Sequence, residues 1–127
     1  MSAPAPPIRD LGTRIQTTAG PMIPAILIAW SRIPATPAFR EKNPPPTAGF
    51  AIVLYEDGGV GLCGTGKMWS DIYARTITAL APTPLQAFNN LLGQTSLIEQ
   101  FHKAACWDIE QIRRDVTATW AAMRGVE

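Results

Sequence analysis

The sequence predicts an α+β fold: a three-stranded antiparallel sheet covered by C-terminal helices, behind a proline-rich extended N-terminal segment. Three observations point there. All but two of the 12 prolines fall within the first 46 residues, where they fix φ, remove donors and exclude long regular elements. Between Gly49 and Leu80, apolar runs of strand length alternate with glycine-rich turns. From Thr83 onward, capping signals and apolar residues at helical spacing take over.

Residues 1–20 read as a proline-containing arm, and 21–127 as one domain, clearest from 49 to 124. Pro21 to Trp30 is a short apolar run whose β-branched residues and proline flanks suit a buried strand, with a helical turn or two as the alternative. Residues 34–47, with Pro34, Pro37 and Pro44-Pro45-Pro46, read as an extended, partly polyproline loop. Phe50 to Tyr55 is the first strand of the sheet. Asp57-Gly58 supplies the positive φ of a hairpin turn, and Val60 to Cys63 returns. After a loop from Gly64 to Asp71, Thr76 to Leu80 alternates as the third strand. Thr83-Pro84-Leu85-Gln86 is a capping box with proline at the first helical position, and Gly93 reads as that helix's stop. A second box, Ser96 to Glu99, opens a helix carrying Leu97, Ile98, Phe101, Ala104 and Ala105. Ile109, Ile112, Val116, Trp120 and Met123 continue the stripe to Gly125, either as one bent helix or as a fresh one capped by Asp108. Trp107 and Trp120 fall on that stripe and read as core.

Composition narrows the function. Charged residues make up 17% of the chain, below the roughly 25% of typical domains, which suggests a surface partly covered by a partner or a second copy. The net charge of +1 argues against a dedicated duplex-DNA binder. Charge is uneven, however: Arg9, Arg14, Arg32, Arg40 and Lys42 outweigh Asp10 and Glu41 in the first 46 residues, while the remainder is net acidic. That basic segment suits an acidic protein surface or a nucleic acid, or is a solvated arm. The N-terminus has neither the charged nor the apolar region of a secretory signal, and no apolar run has the length of a membrane span. The expectation is a cytoplasmic protein with Cys63 and Cys106 reduced and no membrane partner.

Candidate chemistry is sparse. Gly61 to Lys67 matches the start of a phosphate-binding loop, but Met68 stands where a metal-holding Ser or Thr is needed, and the run follows a hairpin return. It reads better as a glycine-rich hairpin end. His102 and Cys106 share one helix face and, with Cys63, make three soft ligands, fewer than a structural zinc site takes. Packing is the simpler account, so no metal, cofactor or catalytic residue is expected. Arg113-Arg114, Lys103 and Arg124 interleave with Glu99, Asp108, Glu110 and Asp115, as on a solvated, salt-bridged face. Trp69, in Lys67-Met68-Trp69, is either a binding hot spot or a loop side chain folded over the core. Lys67, Met68 and Trp69, together with Arg9 and Arg14, are the expected partner-binding residues.

Phe50 to Leu62 followed by Thr76 to Leu92 resembles the βββα unit of HicB-type antitoxins: an apolar strand enters an Asp-Gly-Gly hairpin and a third strand leads into an amphipathic helix. The resemblance covers about residues 49–93. Gln86 replaces the acid that the family favours, and no operator-binding tail is recognisable. It implies a non-enzymatic protein that masks a partner. The sequence thus favours a small docking protein, an inhibitor or regulator of the antitoxin or phage and mobile-element anti-defence kind. A structural subunit of a larger assembly such as a virion is the alternative, and nucleotide binding through Gly61–Lys67 the weakest.

Overall fold

A computed structural model describes residues 14–16, 22–34, 39, 48–67 and 72–123. The apolar runs are strands, because each can bury both of its faces. Residues 14–16 form β1 (Arg14–Gln16), followed by β2 (Met22–Arg32), β3 (Gly49–Tyr55), β4 (Val60–Thr65) and β5 (Ile72–Ala79). Each pairs antiparallel with the next, in the order β1-β2-β3-β4-β5. The class is α+β as expected, but four strands, not three, make the body of the sheet, and β1 adds a short fifth at the edge. The extra strand is the Pro21–Trp30 run, which is β rather than helical. Pro24 is accommodated at a join: it pairs with Arg14 of β1, and pairing with β3 begins only at Ala25. β1 lies within the segment read as an arm, so the sheet draws on that segment. Of the proline loop over 34–47, only Pro34 and Phe39 are described.

Three register shifts bend the sheet. One between Leu27 and Ala29 leaves Ile28 as an extra residue in β2, and Ile28 and Ala29 consequently pack on the same face. Two more, opposite Leu62/Cys63 and Gly64/Thr65, place extra residues in β5. Bulges increase local twist, and here β1 reaches β5 as well as β2, so the sheet curls on itself. The β3–β4 hairpin closes through Gly58, at φ 94°, with the Gly58 amide donating to the Tyr55 carbonyl at 3.0 Å and the Gly59 amide to Asp57 Oδ1 at 2.9 Å. The expected loop from Gly64 is shorter than the sequence suggested, because β4 runs to Thr65 and β5 starts at Ile72.

Three helices of the described residues cover one face: α1 (Pro84–Gln94), α2 (Leu97–Lys103) and α3 (Ile109–Met123). Ile26, Ile28, Phe50, Ile52, Leu54, Val60 and Leu62 of the sheet pack against Phe88, Leu91, Ile98, Phe101, Trp107, Ile112 and Val116. Thr83 caps α1 by accepting from the Gln86 amide at 3.3 Å. Gly93 is not its stop: the helix continues to Gln94, and no positive φ occurs there. Nor does Ser96 cap α2 through its side chain. Thr95 Oγ1 accepts from the Leu97 amide instead, and Ser96 Oγ takes Gln100 Nε2. α2 and α3 are separate helices. Ala105, at φ 62°, turns the chain, with Cys106 N–H bonded to the Phe101 carbonyl and Ala105 N–H to that of His102, a Schellman ending. Asp108 Oδ1 then accepts from the amides of Glu110 and Gln111, which opens α3. Trp107 is buried and stacked on Phe101 at 4.5 Å, and the half-buried Trp120 lies over Gly58. No helix among the described residues is long and apolar enough to cross a membrane.

Candidate functional site

The face of the sheet turned away from the helices carries Ala25, Leu27, Ala51, Val53, Tyr55 and Cys63, all buried, with Trp30 packed against them. With β1 reaching β5, it is the inside of the curl, and at two of its glycines an aromatic ring occupies the space of a side chain. A Cβ on Gly61 would come within 2.6 Å of the Tyr55 hydroxyl, so Tyr55 occupies the space above that glycine and approaches Cys63 Sγ at 3.9 Å. At the end of the sheet remote from the β3–β4 hairpin, Trp30 crosses Gly49 in the same way. Its Nε1 donates to Thr65 Oγ1 at 3.0 Å, and a Cβ on Gly49 would lie 3.0 Å from that nitrogen.

This end is the mouth of the curl. Arg32, two residues along β2 from Trp30, is exposed and holds its guanidinium 5.8 Å from the centre of the Trp30 ring. Register places Arg32 opposite Gly49 and Gly49 opposite Thr65, so the three lie in one row across β2, β3 and β4. Lys67, exposed, follows two residues after Thr65. Among the described residues neither cation has an ion-pair partner; the one salt bridge joins Arg113 to Glu110. Glu56 and Asp57 sit at the opposite end of the strands, in the hairpin. Among the described residues, then, Arg32 and Lys67 lie at the mouth and Glu56 and Asp57 at the turn.

Of the expected partner-binding residues, Lys67 falls at this mouth. The Arg14 backbone opens β1, opposite Pro24. Arg9, Met68 and Trp69 lie outside the described residues. Sequence reasoning missed Trp30, Arg32 and Thr65. The available signal was the two-residue spacing of Trp30 and Arg32, which puts both on one face of a strand.

The other candidates fall apart geometrically. Gly61 to Thr65 belong to β4, a strand paired on both sides, unlike the open loop before a helix that cradles phosphate. Cys63 lies inside the curl, whereas Cys106 packs with the helix-side core, so the sheet separates them. His102 Nδ1 lies 3.0 Å from the Trp107 carbonyl and 3.4 Å from the Ile109 amide, at the α2–α3 corner. No group of three His, Cys, Asp or Glu side chains suited to a metal occurs among the described residues. On α3, Arg113 bonds Glu110 and Asn89, Arg114 bonds Gln111, and Gln111 bonds Asp115; of the salt bridges that the charge pattern suggested, Arg113–Glu110 is the one present among the described residues, and Arg124 lies outside them. No protein-family model, curated protein or solved structure matches the chain.

Proposed function

We propose that the protein acts without catalysis, by docking the basic mouth of its curled sheet on an acidic surface of a partner protein, as an inhibitor or regulator. One observation carries this: an exposed Arg32 over a Trp30 ring that is itself held by Thr65, with an exposed Lys67 two residues beyond that threonine. Tryptophan and arginine dominate binding hot spots because they contribute large contact area and directed donors. Here the hydrogen bond and the stack fix the ring before binding, which lowers the ordering cost. Cations at the rim, without an ion-pair partner among the described residues, favour an acidic partner and speed its encounter. The order β3, β4, β5, α1 is the order that the HicB-type resemblance requires, and it supports a partner-masking role over an enzymatic one.

The test is a photo-crosslinking amino acid at position 67, with the protein expressed in its native host and adducts identified by mass spectrometry. One dominant acidic protein should be captured and should be lost when Arg32→Glu is added, while circular dichroism stays unchanged. Absence of an adduct, or an adduct indifferent to Arg32→Glu, overturns the proposal.

A further inference from the structure

We infer that the mouth of one copy takes the β3–β4 turn of another, so that the chain associates with itself head to tail and covers its own docking surface. The inference rests on the mouth being a docking surface for acidic groups, as proposed above, and adds the chain itself as a competing occupant. Glu56 and Asp57 are both exposed at the turn. Neither has an ion-pair partner among the described residues. Asp57 Oδ1 accepts from the Gly59 amide at 2.9 Å, which fixes the carboxylate while leaving it lone pairs for a guanidinium. Leu80 stands beside it: a Cβ on Gly59 would lie 2.8 Å from Leu80 Cδ2 and 3.2 Å from Asp57 Oδ1. At 68% exposure, Leu80 is the large hydrophobic side chain most open to solvent among the described residues. The turn thus offers carboxylates around an uncovered apolar side chain.

The mouth is its complement. Exposed Arg32 lies over the part-exposed Trp30 ring, and exposed Lys67 follows Thr65. Guanidinium and ammonium groups meet carboxylates in charge-assisted hydrogen bonds, and an indole beside them gives a leucine apolar surface to cover. One copy cannot make this contact with itself. The β3–β4 register runs from Gly49↔Thr65 at the mouth to Leu54↔Val60 at the turn, and seven residues of strand separate the two ends by about 20 Å. Two different patches at opposite ends form a heterologous contact, which leaves one mouth and one turn open however many copies join. Exposed ion pairs contribute little singly and are screened by salt, so the association is weak. In dilute protein the mouth stays open to a partner; in concentrated protein a neighbour's turn competes for it.

Sedimentation velocity on the purified full chain, from micromolar to millimolar concentration, tests this. The mean mass should rise past that of a dimer with concentration and fall with added salt. Arg32→Gln with Lys67→Gln disables the mouth, and Glu56→Gln with Leu80→Gln disables the turn. Each pair should weaken association by at least about tenfold, with far-ultraviolet circular dichroism unchanged because all four side chains are exposed. Mixed in equal amounts, the two variants should form a dimer and nothing larger, since each pair of chains then holds one intact mouth and one intact turn. A monomer at every concentration, a wild-type chain that stops at a dimer, or a mixture that does not associate would overturn the inference. The measurement uses this chain alone, so its outcome is separate from the capture of a host protein at position 67.

Discussion

Replacing Gly61 and Gly93 by alanine, one methyl group in each case, should move stability in opposite directions. At Gly61 the added Cβ would lie 2.6 Å from Tyr55 Oη, 2.9 Å from Cε2 and 3.1 Å from Cζ. The ring must therefore retreat by nearly an ångström, yet Tyr55 is only 5% exposed and is enclosed by the curl. Overpacking of this kind costs about 1–3 kcal/mol, and three simultaneous close approaches place Gly61→Ala near 2 kcal/mol, about an 8 °C fall in Tm for a domain of this size. At Gly93 the new Cβ meets nothing within 4 Å and the backbone is helical. Gly93→Ala should therefore gain about 0.8–1 kcal/mol from helix propensity. Urea unfolding followed by circular dichroism, with a shared slope, measures both. Adding Tyr55→Val should make the Gly61→Ala penalty much smaller than it is in the wild-type background, since the clash partner is gone. The reasoning fails if Gly61→Ala stays within about 0.5 kcal/mol of wild type, or if the two substitutions simply add.

Two further outcomes follow from the backbone. Ala105 holds φ 62°, which costs an L-residue about 1–2 kcal/mol, so Ala105→Gly should raise stability by about 0.5–1 kcal/mol once the greater freedom of the unfolded glycine is subtracted; a loss in urea midpoint would contradict the Schellman ending. Deleting residues 2–16 removes β1 and leaves Met22 to Pro24 without their partner strand, so Tm should drop by at least about 4 °C. A melting curve within about 1 °C of wild type would show that β1 adds nothing to the sheet.

Much of the fold was legible because it is locally encoded. Asp57-Gly58 marked a hairpin and Gly58 has the positive φ. Thr83 and Asp108 were caps by residue type, and both accept helix amides. The failures were also local signals, overridden by context. Gly93 resembled a left-handed stop, but α1 runs one residue further, to Gln94, and Thr95 ends it in an extended conformation. Ser96 resembled a cap, but the Thr95 hydroxyl is the one placed to accept. Gly61 to Lys67 resembled a phosphate loop because pattern alone does not tell why a glycine is present. Its first glycine is there for the Tyr55 ring, six residues back in sequence and on the neighbouring strand. The site was less legible still, since Trp30, Gly49 and Thr65 come from three strands and meet only through register.

That register also ties the site to the interior. Gly49 is the pivot: a Cβ there would lie 2.7 Å from the Ser31 carbonyl, 2.9 Å from Thr65 Oγ1 and 3.0 Å from Trp30 Nε1. The indole can bridge β2 to β4 only because the strand between them carries no side chain at that point. With the bridge in place, Trp30 closes the apolar inside of the curl on one side and offers its other side to Arg32. Glycine, tryptophan and threonine thus perform one task jointly, which is to end a hydrophobic interior in a rigid, cationic surface. In the docking proposed above, Arg32 on a mobile ring would lose side-chain entropy on binding, whereas on a ring held by Thr65 and the sheet it would lose less. The same economy of small residues that lets the sheet curl also fixes the shape of its mouth, the surface proposed above for docking.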